Sequence, residues 1–266
     1  LEPAQAGALY LGFFEQVSHM VAAKGKRVMV WGDIILQHPE VIPRLPQGTI
    51  AIPWRYQDEP DYDRFVAPLA TAKVNSLLGS GVWNYYDAVP DFDHTVRNVN
   101  GLGLSARKHG SLGLLHTEWT DDGQVLMRGA DPAVAAGPIG AWSREPLARD
   151  DFYRHYARLQ HPDHADAVAR LLAVLSESQA ALEDAFGTRV KEALWSNPLD
   201  PHTLERARKH AGQIRQARRQ AEEAQALLLA LPDRGESLFA ELLFGARLLD
   251  YMALRQLYAI ELDDFR

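Results

Sequence analysis

The sequence contains no cysteine, which excludes a disulfide scaffold, a zinc ribbon and a thiol nucleophile. It has no apolar run near the 18 residues or so that a membrane-crossing helix needs, and nothing at its N-terminus reads as a signal peptide. Positive charge is in deficit: 28 Lys and Arg stand against 35 Asp and Glu, a net charge of −7. That balance argues against a nucleic-acid backbone as the main partner. The chain opens Leu1-Glu2-Pro3 without an initiating Met, and so reads as a piece of a longer protein. Cytoplasmic and secreted settings both fit this composition. What is present suffices for a full core. The 266 residues are 47% hydrophobic and 24% charged, enough for one large domain or two smaller ones at about 150 residues each.

Several chemistries are missing as well. The ten His show no HxH or HExxH spacing, so neither a metal site nor a metal hydrolase is expected. Ser80 in Gly79-Ser80-Gly81 lacks the GxSxG elbow. Gly101-Leu102-Gly103 follows no strand, so it is no dinucleotide fingerprint, and no cofactor is expected. His116 lies inside an apolar run and reads as a satisfied core residue rather than a general base. His161 and His164 flank Pro162 as a solvated loop end, and Arg215, Arg218 and Arg219 read as a solvated face.

Residues 1 to about 145 alternate between two periods. Apolar runs at residues 27–31, 49–52, 76–82 and 113–117 predict four strands. Helical spacing predicts helices at 8–23, 63–74, 92–108 and 132–142, with one helical turn at 39–44. Strands separated by helices need crossover connections, and hence a parallel sheet. Four such units make half of a (β/α)8 barrel; a doubly wound α/β sheet gives the same local pattern. From about residue 150 the strands vanish, and helices are predicted at 150–156, 165–186, 203–230 and 237–262. Leu204, Ala207, Ala211, Ile214, Ala217, Ala221, Ala224 and Leu228 form one apolar stripe through the third of these. The expected organisation is a barrel half at 1–148 and a helical region at 149–266, the latter an antiparallel appendage or else a dimerisation arm.

Tryptophan placement carries the functional signal. Trp31, Trp54, Trp83 and Trp119 each stand at or just past the C-terminal end of a strand run, the end that faces the ligand in parallel α/β folds. One such Trp is as easily a core residue; four at equivalent places are not. Trp142 and Trp195 lie in helical context and read as packing residues. Indoles stack on the axial C–H face of a pyranose, and carboxylates accept hydroxyl hydrogen bonds at its edge. Asp33, Asp87 and Asp121 each follow one of these Trp within four residues, although loop Asp residues also cap helices.

Two segments, Lys26-Arg27-Val28-Met29-Val30-Trp31-Gly32-Asp33 and Gly113-Leu114-Leu115-His116-Thr117-Glu118-Trp119-Thr120-Asp121-Asp122-Gly123, resemble the family 20 glycoside hydrolases, the β-N-acetylhexosaminidases. The resemblance covers about residues 7–142 and runs in order through the second half of that family's barrel. It implies substrate-assisted, retaining hydrolysis of terminal β-linked GlcNAc or GalNAc. The 2-acetamido oxygen attacks the anomeric carbon to form an oxazolinium, an exception to the two-carboxylate scheme.

In the family an Asp-Glu pair after the fourth strand supplies the acid–base Glu and the acetamido-orienting Asp. No such pair precedes the first strand here, and Asp58-Glu59 follows the wrong strand, so the catalytic pair is expected upstream. By the resemblance, Trp31, Trp83 and Trp119 wall the sugar, with Trp54 a fourth candidate. Tyr85-Tyr86-Asp87 matches the family's Tyr-x-Asp, which makes Tyr85 the acetamido-orienting candidate. Asp121 stands where many members carry a Glu that binds the 4- and 6-hydroxyls, and Thr120 where glycine is common. The partners implied are an N-acetylhexosamine glycan and, to cover two open sheet edges, the N-terminal barrel half or a second copy. Two other readings stay open: a barrel glycosidase using Glu118 and Asp33 on plain sugars, and a non-catalytic carbohydrate-binding protein.

Overall fold

The computed structural model describes residues 3–85, 87–119, 126–231 and 237–265. The chain is mixed α/β, 67% helical, with a four-stranded all-parallel sheet in the order β1-β2-β3-β4. The strands are β1 (Met29–Trp31), β2 (Ile50–Ile52), β3 (Asn75–Gly81) and β4 (Gly113–Thr117). Between and around them run α1 (Pro3–Ala22), α2 (Asp33–Gln37), a 3-10 segment Pro39–Arg44, α3 (Asp63–Thr71), α4 (Phe92–His109) and α5 (Asp131–Trp142). The remainder is helical: α6 (Arg149–Gln160), α7 (Ala165–Phe186), α8 (Val190–Trp195), α9 (Pro201–Lys209), α10 (Ala211–Ala230) and α11 (Ser237–Asp264).

The chain divides into two compact units, and the division cuts across chain order. The first holds residues 1–81, 95–117 and 136–146; the second holds 82–94, 118–135 and 147–266. The segments that follow β3 and β4 therefore group with the C-terminal helices rather than with the sheet.

In the first unit, helices cover the sheet with two apolar clusters. Leu11, Ile35, Val41, Ile42, Ala51 and Leu69 form one; Tyr62, Val66, Leu78, Leu102 and Ala106 form the other. Strand β2 is buried along its length, which is why Ile50-Ala51-Ile52 is wholly apolar. Register pairs Met29, Val30 and Trp31 with Ile50, Ala51 and Ile52, and Leu77 through Gly81 with Gly113 through Thr117. Glycine in β3 has a local cause: a Cβ at Gly79 would sit 2.7 Å from Trp54 Cβ. The main chain beyond β2 runs against that position, with Gly79 N donating to Pro53 O at 2.8 Å. Asn98, fully buried on α4, ties the same region, holding Gly81 N (3.2 Å) and Arg55 O (2.7 Å).

The second unit is a helical bundle. Ile214, Ala217, Ala221, Ala224 and Leu228 of α10 are buried, as the stripe predicts. The long helix expected at 203–230 is two helices that meet at His210; the apolar period passes through the break, so pattern alone conceals it. Trp142 of the first unit and Trp195 of the second are 90% and 79% exposed, which corrects their assignment as packing residues: helical context does not fix which face a residue occupies. His161 also departs from a solvated end, lying 5.0 Å from the Phe239 ring.

Candidate functional site

Within the first unit, parallel strands carry two of the predicted indoles at one end of the sheet. Trp31 closes β1 and Trp54 follows β2 by two residues, each 36% exposed. Tyr56 lies 5.0 Å from Trp54, ring to ring, and its hydroxyl accepts from Thr117 Oγ1 at 3.2 Å. Asp33 is the first residue of α2, half-buried, where a carboxylate also suits the helix N-terminus. His116 Nδ1 lies 2.9 Å from Ser80 Oγ, a satisfied side chain but a half-buried one rather than a core residue.

The second unit contains Trp83, Tyr85, Asp87, Glu118 and Trp119. A loop closes where Asp91 N donates to Trp83 O at 2.7 Å, and the helical residues hold it from several directions. Gln179 on α7 accepts from Ala88 N (3.0 Å) and Val89 N (3.1 Å) and donates to Val89 O (2.9 Å). Lys191 Nζ donates to Tyr85 O at 2.6 Å. Trp83 stacks with His94 at 4.0 Å, and the Arg189 guanidinium lies 5.1 Å from its ring.

Asp87 has a fully buried side chain. Both its oxygens accept from Arg189, Oδ1 from Nε at 2.9 Å and Oδ2 from a terminal nitrogen. Arg189 also reaches Glu183 Oε2 at 3.1 Å. Burial raises Asp87 to about 6 against the pull of Arg189. Burial, reinforced by the neighbouring Asp87, pushes Glu183 up to about 9. Burial thus favours a retained proton on this pair of acids, whose remaining charge faces Arg189.

Glu118, just beyond β4, is a second raised carboxyl: burial lifts it, and Asp131 and Glu241 add to the shift. Asn84 Nδ2 lies 3.4 Å from Glu118 Oε1. Asn84 and Asp87 line a small open cleft, with Lys191, Glu241, Leu242 and Phe244 on its other sides. Trp119 is 38% exposed. Asp121, with Tyr86 and Thr120, lies outside the described residues.

Trp83, Tyr85 and Asp87 belong to the second unit, and Trp31, Asp33 and Trp54 to the first. The residues that secure the Tyr85 loop, Gln179, Glu183, Arg189 and Lys191, escaped sequence reasoning. They come 90 to 106 residues after the loop groups they hold, Gln179 and Glu183 on α7, Lys191 on α8 and Arg189 just before it, and their only sequence signal is a Glu, an Arg and a Lys amid apolar helical spacing. Among the described residues, no group of His, Asp and Glu side chains is arranged to hold a metal ion. Nor is any helix among them long and apolar enough to cross a membrane. Neither a family model nor a curated protein matches this chain.

Proposed function

We propose that this chain is the second half of a (β/α)8 barrel of the family 20 type plus a helical region, and that the whole enzyme removes terminal β-linked N-acetylhexosamine. The observation that carries the reading is the recurrence of one Trp at or within two residues of the C-terminal end of each of four parallel strands. Sequential strand order supports a barrel wall, because a doubly wound sheet reverses its order at the switch point. In this reading Trp31, Trp54, Trp83 and Trp119 present apolar faces to the sugar. Asp33 and Asp121 hold hydroxyls, and Tyr85 orients the acetamido group. Asp87, occupied by Arg189, fixes the loop that carries Tyr85.

The acid–base Glu and its Asp neighbour come from the preceding barrel half. The acetamido oxygen is the nucleophile; Glu protonates the leaving oxygen, then takes a proton from the water that opens the oxazolinium. A second reading has its own observation: Glu118 is half-buried with a raised pKa, as a protein-borne general acid requires. Hydrolysis by the full-length gene product decides between them. Cleavage of 4-nitrophenyl N-acetyl-β-glucosaminide but not the matched glucoside is the expected result. Equal cleavage of both, abolished by Glu118→Gln, overturns it in favour of protein carboxylates.

A further inference from the structure

Helix α11 carries an outer stripe of aromatic residues at heptad spacing. Phe244, Tyr251 and Tyr258 are 58%, 52% and 59% exposed, Phe265 just past the helix is 91% exposed, and Leu262 beside them is 49% exposed. The opposite face is buried through Leu242, Ala246, Leu249, Met252, Ala253 and Ala259. One helix therefore seals a core on one side and shows water a continuous aromatic ridge on the other, roughly 30 Å long at 1.5 Å per residue.

The charges on this helix are largely committed within the chain. Asp250 accepts from Arg218 and Gln225, Arg255 donates to the carbonyls of Ala193, Leu194 and Ser196, and Asp263 and Asp264 accept from Arg208. Arg247 and Glu261 are exposed and have no ion pair among the described residues. At 100° per residue both fall on the same flank of the ridge.

We infer that this face of α11 is a two-fold interface with a second copy of the chain, the two helices running antiparallel. Antiparallel pairing centred near Leu254 sets Phe244 against Phe265 and Tyr251 against Tyr258 of the other copy. It also brings each Arg247 to the other copy's Glu261, because same-flank positions meet only in the antiparallel arrangement. A parallel pair would leave both charges without an opposite. Four aromatics from each copy, each about 150–250 Å² and more than half exposed, bury roughly 900 Å² before Leu262 and the Arg247 methylenes are counted. That approaches the standard interface of about 1,200–2,000 Å². The self-complementary patch is what a closed dimer requires.

The test is sedimentation equilibrium of the full chain at micromolar concentration, with circular dichroism to confirm folding. The wild type should weigh twice 29.7 kDa. Tyr251→Glu with Tyr258→Glu should give a folded monomer. Arg247→Glu should weaken the dimer about tenfold, and adding Glu261→Arg should restore it, since reversing both charges recovers the pair. A wild-type monomer overturns the inference. So does a dimer that survives the Tyr substitutions, which would place the contact elsewhere, such as the strand edges. A double charge reversal no better than the single one overturns the antiparallel register. None of these outcomes depends on the glycosidase reading.

Discussion

Asp87 and Glu183 are two buried acids that share a single guanidinium, that of Arg189. Their shared proton has a consequence for stability. Glu183 titrates near 4.5 when unfolded and at about 9 when folded, so between those values the folded state binds more protons. Its stabilising contribution is full below the lower value and declines as pH rises to the upper one. Replacing Glu183 with Gln removes that decline. The melting temperature of Glu183→Gln relative to wild type should therefore rise from about pH 5 to about pH 9. A difference that stays constant across that range contradicts the buried-pair account. The sequence marked Asp87 as a ligand group, but nothing in it marks Glu183 or Arg189 as its partners: pairing over 102 residues is a tertiary event that local spacing does not encode.

Among the elements, the strands were the most legible. Each is a short apolar run, buried throughout in β2 and only partly in β1 and β4, and β4 (Gly113–Thr117) matches its predicted limits. Helix α8 was not legible. It has six residues, too few for a periodic signal, and is held by contacts at its start, where Lys191 donates to Tyr85 O. The fixing of the Tyr85 loop by Gln179 on α7 makes a prediction at this scale. Gln179→Leu keeps the side-chain volume but strands the amides of Ala88 and Val89, which donate to Gln179 Oε1. The loss should be about 1–3 kcal/mol of unfolding free energy, with faster hydrogen exchange at those two amides. Unchanged exchange would mean that the loop is held by something else.

At the scale of the whole molecule, the parallel strands and the change to an all-helical C-terminal part follow from the period of the apolar residues. The grouping of the two compact units does not, since segments 82–94 and 118–135 join the helices through side chains such as Gln179 and Glu241. Chain order suggested a boundary near residue 148; spatial grouping follows the loops instead. The same loops carry Trp83, Tyr85 and Trp119, so the proposed substrate residues and the helical region have a shared structural basis. Gln179 and Lys191 hold the backbone of Tyr85, Ala88 and Val89, and in the proposed reaction such positioning favours intramolecular attack by the acetamido oxygen.

In the proposed reaction the substrate's own amide is the nucleophile, and fluorination of that amide probes its part in the rate. The full-length gene product is assayed on 4-nitrophenyl N-acetyl-β-glucosaminides carrying successively more fluorine on the acetamido methyl. Each fluorine withdraws electron density from the attacking carbonyl oxygen. If the acetamido oxygen attacks, kcat falls at every step of the series. A kcat indifferent to fluorination would contradict it and return the chemistry to the protein's carboxylates.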